Sequence, residues 1–139
     1  MTDASTPRPD TKTVAIEREF RHPPEKLWRA LTQPHLLSEW LMQTDFRPEL
    51  GATSRFTAAW GEVACEVLEI EPQRRLVTTW VGLGIDTTIT WTLTETATGT
   101  RLRMEQSGFR RDQGRAYGGA RANWPNHFDR LDACLDSLA

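Results

Sequence analysis

Few side chains in this sequence can move protons, bind a metal or attack as nucleophiles: 139 residues hold three histidines, two cysteines and one tyrosine. Of these, His127 has the most suggestive position. It lies one residue before Phe128, at the edge of an apolar stripe, where a neutral imidazole could act as a general base on a cavity wall. The blander alternative, a rim or core histidine held by an ordinary hydrogen bond, fits the pattern better. Tyr117 lies on the same stripe and is the other weak candidate for acid–base work, so no residue is assigned as catalytic. His22 and His35 stand beside prolines, where local capping or exposure accounts for them. The three histidines show no metal-ligand spacing, and Cys65 and Cys134 match no zinc or redox motif, so neither metal nor cofactor is expected. Asp86 follows Gly82-Leu83-Gly84 in a loop, and Glu105 alternates with Met104 and so points outward. They would form a carboxylate pair only in a different strand register. A nucleophile elbow, a phosphate-binding loop and a dinucleotide fingerprint are all missing.

The element that must position these groups is the last quarter of the chain, residues 113–138. Tyr117, Ala120, Trp124, Phe128, Leu131, Leu135 and Leu138 recur at steps of three or four, which places them on one side of a long helix. Arg121, Asn126, Asp129, Asp132 and Asp136 fall on the other side, so the stripe needs a broad apolar partner. Pro125 predicts a kink, or a helix that properly begins near Asn123, and Gly118 and Gly119 weaken the upstream turns.

The partner is read from the rest of the chain. Thr13 to Phe20 alternates as a first strand, Pro23-Pro24 opens a short helix carrying Leu27, Trp28 and Leu31 inward, and Pro34 separates it from a second. From Phe46 the period changes to two. Gly51, Gly61, Pro72-Gln73-Arg74, Gly82 to Gly84 and Thr98-Gly99 punctuate successive short strands, with Phe56, Ala58 and Trp60 alternating on one side and a bulge near Leu68. Ile89, Trp91, Leu93, Leu102 and Met104 should form the inner face of this antiparallel meander. Strands in one run and helices set apart make the class α+β: a curved antiparallel sheet of about six or seven strands around a long C-terminal helix, with two short helices after the first strand.

Length fits a single domain over 13–139, with residues 1–12 as a mobile tail. A net charge of -2 and a pI near 5.9 give no reason to expect nucleic acid. With no apolar span or leader, neither a membrane partner nor secretion is expected, which implies a cytoplasmic protein with reduced thiols. Arg101, Arg103, Arg110, Arg111, Arg115 and Arg121 cluster in one region, opposite an acidic run of Glu62, Glu66, Glu69 and Glu71. These are either outer-face residues paired across the sheet, or, at Arg110, Arg111 and Arg115, a patch for an anion or an acidic protein partner.

The run Phe20-Arg21-His22-Pro23-Pro24-Glu25-Lys26-Leu27-Trp28-Arg29-Ala30-Leu31-Thr32, with Pro34 and Trp40-Leu41, resembles the opening of the activator of heat-shock protein 90 ATPase homologue-like family, within the START-like (SRPBCC) superfamily. Phe46-Arg47-Pro48, Glu66 to Pro72, Trp80, Gly99-Thr100-Arg101-Leu102, Gly108-Phe109, and Trp124 with Leu131 and Leu135 extend the likeness over residues 13–138. The resemblance implies the helix-grip (START/Bet v-like) fold, with a cavity between sheet and helix. Superfamily members variously bind lipids, sterols or polyketides, and some catalyse cyclisation or hydrolysis. The eukaryotic namesakes stimulate the chaperone through an additional N-terminal domain, which the short tail is not expected to supply, although the family name sets stress response among the implied roles.

In such an architecture the aromatic residues are the strongest functional signal. Trp40, Phe56, Trp60, Trp80, Trp91, Met104, Phe109, Tyr117, Asn123, Trp124 and Phe128 are the expected cavity residues, with the space at the helix's N-terminal half and the Leu131 to Leu138 half sealing the end. The same rings could instead fill the space completely. The first expectation is a protein that holds an apolar or amphipathic small molecule without covalent chemistry. The others are an interaction module that docks on an acidic partner or on a copy of itself as a homodimer, and a polyketide cyclase- or hydrolase-like enzyme using His127 with Tyr117 or a carboxylate.

Overall fold

The computed structural model describes residues 11–138. Within them the chain forms β1 (Thr11–Phe20), α1 (Pro24–Thr32), α2 (Pro34–Trp40), β2 (Gln43–Thr44), β3 (Thr53–Ala58), β4 (Gly61–Glu71), β5 (Arg75–Gly82), β6 (Ile85–Glu95), β7 (Thr100–Arg110) and α3 (Gly114–Ser137). The strands make one seven-stranded antiparallel sheet in the order β1-β7-β6-β5-β4-β3-β2. Helix α3 lies against β1, β7 and the two short helices. This is the expected α+β helix-grip. Most of the expected N-terminal tail lies outside the described residues, but Thr11 and Lys12 already pair with Arg110 and Phe109, so β1 begins before Thr13.

Local chemistry explains the breaks between elements. Pro24 and Pro34 each occupy the first helical turn, where a missing N–H goes unnoticed. Gln33, pressed into an extended conformation by the following proline, ends α1 and opens α2 at once. The period of two expected from Phe46 onward sets in at Thr53; Phe46 to Ala52 is a loop that includes the expected turn at Gly51, yet Phe46 is still buried. The irregularity near Leu68 is a register shift between Val67 and Glu69 against β5.

A second bulge matters more for the site. In β7, Leu102, Met104 and Gln106 point inward by simple alternation, which would turn residue 108 inward and Phe109 out. Instead Lys12 and Thr13 on β1 face Phe109 and Ser107, leaving Gly108 as the extra residue with φ 110°. A Cβ there would sit 2.9 Å from the Asp86 carbonyl oxygen, so glycine suits both the backbone and the space. The inserted residue turns Phe109 back to the inside, where it is 1% exposed.

Helix α3 is continuous from Gly114, so it does not begin near Asn123. Pro125 removes the donor that would have met the Arg121 carbonyl, but the turns on either side persist because Trp124, Phe128, Leu131, Cys134 and Leu135 are all buried against the sheet and short helices.

Candidate functional site

The middle of the grip is filled. Trp91, at the centre of β6, packs edge-on against Trp40 and Trp124 at centroid distances of 5.9 and 5.6 Å and stacks on Phe128 at 6.2 Å. Phe56 meets Trp80 at 4.9 Å. Between these rings, walled also by Leu31, Leu37 and Cys65, only about 20 Å³ is left, room for roughly one water. Trp40, Met104 and Phe128 belong to this packed interior and line neither this gap nor the cleft at α3, and the Trp40 indole N–H is satisfied by the Ala30 carbonyl at 2.9 Å.

Space opens at the N-terminal half of α3. A cleft of about 140 Å³ runs between Ala116, Ala120 and Asn123 on the helix and Trp80, Ile85 and Phe109 on the sheet, with Leu41 and Met42 at one end. Its origin is side-chain size. Where the lower half of the stripe carries Phe and Leu, this half presents two alanines to the sheet, and Gly118 and Gly119 sit beside them with nothing near enough to touch an added Cβ. Trp60 also lines the cleft but at its mouth, 59% exposed. Its inward placement by alternation with Phe56 is corrected: β3 stops at Ala58, and Ala59 and Trp60 form the turn before Gly61. Tyr117 is half-buried beside the cleft, edge-on to Phe109 at 5.8 Å.

Polar groups are few and defined. The Trp124 indole N–H donates to Gln106 Oε1 at 2.9 Å, Gln106 Nε2 donates to Thr87 Oγ1 at 3.1 Å, and the Thr87 hydroxyl donates to the Trp80 carbonyl at 2.7 Å. The three side chains of this chain are buried and linked in series, which fixes the two tryptophans that separate the filled centre from the cleft. The sequence reading passed over Gln106. Its signal was a polar residue at an inward position of an otherwise apolar strand face.

His127 lines the cleft and is half-buried. Burial first, then the positive charge of Arg130, push its pKa below the ordinary value, against a smaller opposing pull from a hydrogen bond to the Trp40 backbone. Arg130 Nη2 lies 2.8 Å from Nδ1, and a guanidinium can only donate, so Nδ1 is the acceptor and a neutral ring carries its proton on Nε2. With its lone pair engaged, His127 is poorly placed to abstract a proton. Among the described residues no carboxylate lines the cleft with it: Asp86 is exposed, and Glu105 Oε1 accepts from Arg103 at 3.0 Å on the outer face. The Cys65 thiol, facing the small inner gap, is pushed by burial to a pKa of about 11, and burial raises that of Cys134 too, which disfavours the nucleophilic thiolate at both.

One cluster that linear spacing did not reveal is His22 with Asp132 and Asp136, brought together by β1's exit and the end of α3. His22 Nε2 lies 2.9 Å from Asp136, and Lys26 Nζ lies 3.2 Å from Nδ1. The ammonium makes Nδ1 an acceptor, which puts the ring proton on Nε2, where a metal would have to bind. The arginine cluster divides: Arg101 and Arg103 pair with Glu17, and Arg110 with Asp112, while Arg111 and Arg115 have no ion-pair partner among the described residues. No helix among the described residues is long and apolar enough to cross a membrane.

The family described as Activator of Hsp90 ATPase homolog 1-like protein matches residues 21–136. Protein MLL2253 from Mesorhizobium loti is similar in structure at 52% identity and a TM-score of 0.89, over 92% of this chain and 99% of that one. DynU16, a protein in the dynemicin biosynthetic locus, is 27% identical with a TM-score of 0.82, over 90% of this chain and 47% of its own. The Aha1 dimer from Colwellia psychrerythraea shares the fold at 18% identity and a TM-score of 0.82, over 91% of this chain and 97% of that one. No curated protein matches the chain.

Proposed function

The chain belongs to the Activator of Hsp90 ATPase homolog 1-like family, and from that premise we propose that it binds an apolar or amphipathic small molecule in the cleft at the N-terminal half of α3. The observation that carries this is the contrast within one grip: a centre with about 20 Å³ to spare and a cleft with about 140 Å³, walled by Trp80, Phe109 and Trp124. Aromatic walls supply affinity by excluding water, and the few polar groups orient the guest. The exposed Asn123 amide is the orienting group, since the His127 ring is already held by Arg130 and the Trp40 backbone. A volume of this size suits a small molecule or one end of a longer one. The likeness to a protein from a small molecule's biosynthetic locus supports the same class. Non-covalent binding is favoured over turnover because the histidine's lone pair is engaged and no carboxylate stands beside it.

Native mass spectrometry of the purified protein tests the proposal. A stoichiometric small-molecule adduct is expected in the wild type, and it should vanish in Ala120→Phe, which fills the cleft. An adduct retained by that variant, with unchanged affinity, would place the ligand elsewhere. The same spectrum reads self-association, to which the dimer of the Colwellia protein draws attention.

A further inference from the structure

Among the described residues three large apolar side chains are exposed, and two of them lie at one end of the sheet. Trp60 is at the tip of the β3–β4 hairpin and Leu83 at the tip of the β5–β6 hairpin, 59% and 60% exposed. The tips touch: a Cβ added to Gly61 would lie 2.9 Å from Leu83 Cδ2, and one added to Gly82 would lie 2.7 Å from the Glu62 carbonyl oxygen. Leu83 itself holds a left-handed backbone, φ 55°, which a leucine adopts reluctantly. A third element joins them. Gln113 Nε2 donates to the Gly84 carbonyl at 2.6 Å while its Oε1 accepts from the Arg110 backbone N–H, so the β7–α3 turn is tied to the Leu83 tip. That turn carries Arg111, and the first turn of α3 carries Arg115, both exposed and without an ion-pair partner among the described residues. Of the neighbouring acids, Asp112 and Glu62 are already paired with Arg110 and Arg55, which leaves the exposed Asp86, three residues beyond Leu83, against the two arginines.

We propose that this end, with Trp60 and Leu83 as apolar anchors and Arg111 and Arg115 beside them, docks on an anionic lipid surface. A tryptophan and a leucine on projecting turns enter the headgroup boundary without any spanning segment, and adjacent arginines add the attraction of a negative leaflet. No helix among the described residues is long and apolar enough to cross a bilayer, but resting on one needs no such helix, and in this the proposal departs from the sequence-based expectation of no membrane partner. A second copy of this chain is the less favoured occupant, because a two-fold contact through the tips would bring the same unpaired arginines of both copies together. The docking stands whether or not the cleft holds a ligand, although Trp60 at the cleft mouth would set that mouth against the surface.

Co-sedimentation with vesicles of phosphatidylcholine containing about 30% phosphatidylglycerol tests the proposal, with pure phosphatidylcholine as control. The wild type should bind the anionic vesicles, bind the neutral ones weakly, and release as salt is raised to about 0.5 M. Neutralising Arg111 or Arg115 to Gln should weaken binding about fivefold each, and Trp60→Ser with Leu83→Ser about tenfold or more. All four side chains are exposed, so unfolding midpoints should stay at the wild-type value. Absence of binding, binding indifferent to lipid charge, or binding untouched by these substitutions overturns the proposal. So does a concentration-dependent dimer, seen without vesicles and lost in Trp60→Ser, which would assign the tips to a second copy.

Discussion

The two halves of α3 are one continuous helix with one apolar stripe, yet they do different work. From Trp124 to Leu135 the stripe is made of buried residues, with Phe128, Leu131 and Leu135 wholly inaccessible, and the sheet closes on them through Trp91 and Phe20. From Gly114 to Asn123 the same side carries Ala116, Tyr117 and Ala120, only half-buried, and the sheet stands off to leave the cleft. Stability and vacancy are thus set along a single element by side-chain volume. A grip fold can keep a site because part of its helix is under-packed while the remainder is packed tightly enough to hold the whole.

If that division is correct, substitutions should sort by half. Phe128→Ala should lose about 3–5 kcal/mol in denaturant unfolding, since the ring is 0% exposed and touches both Trp91 and Phe20. Ala120→Phe should abolish ligand binding while moving stability by about 1 kcal/mol or less, because the added ring enters existing space. A large loss in the second and a small one in the first would dissolve the contrast.

The boundary between the halves should show an intermediate effect. Gln106→Met keeps volume but leaves the Trp124 N–H without an acceptor, which should cost about 1–3 kcal/mol. Trp124 also walls the cleft, so ligand affinity should fall with it, and indole fluorescence reports both. The smallest effect of this set has the opposite sign. Gly118→Ala and Gly119→Ala place a methyl in open space on a helix, so each should stabilise the fold by about 0.5–1 kcal/mol, read as a raised unfolding midpoint.

The sequence disclosed the sealed half far better than the open one. Steps of three and four through Trp124, Phe128, Leu131 and Leu135 locate a buried stripe, and alternation through Ile89, Trp91 and Leu93 locates the face it meets. Period says which side a residue takes, not whether the partner side reaches it, so Trp40 and Met104 could not be told apart from Trp80 as core or wall. Trp60 was misplaced because alternation carries no mark of where a strand stops; two turn residues moved it from the inner face to the rim. Phe109 depends on a bulge at Gly108, an insertion that the pattern of β7 alone does not announce. The cluster of His22, Asp132 and Asp136 joins the two ends of the chain, beyond the reach of any local spacing rule.

His127 carries the comparison into titration, because it sits on the cleft side of the boundary while Arg130, which also donates to the Trp40 carbonyl, holds it from the packed side. Its pKa in the fold lies below the ordinary value of 6.5, so the unfolded chain takes up a proton first as pH falls. In the window between 6.5 and the lowered native value, the unfolded state binds more protons, and stability must fall with pH. Above that window the ring is neutral in both states and contributes no slope. Below it, the imidazolium forfeits the Nδ1 acceptor and faces the Arg130 guanidinium as a like charge, so the lost stability does not return. His127→Gln keeps a polar side chain and removes the titration. Urea unfolding across this range should therefore show a shallower acid decline in the variant than in the wild type, with parallel behaviour above about pH 7. Equal slopes would mean that the ring is as open to water as the cleft beside it, and that its contact with Arg130 does not hold the open half to the sealed one.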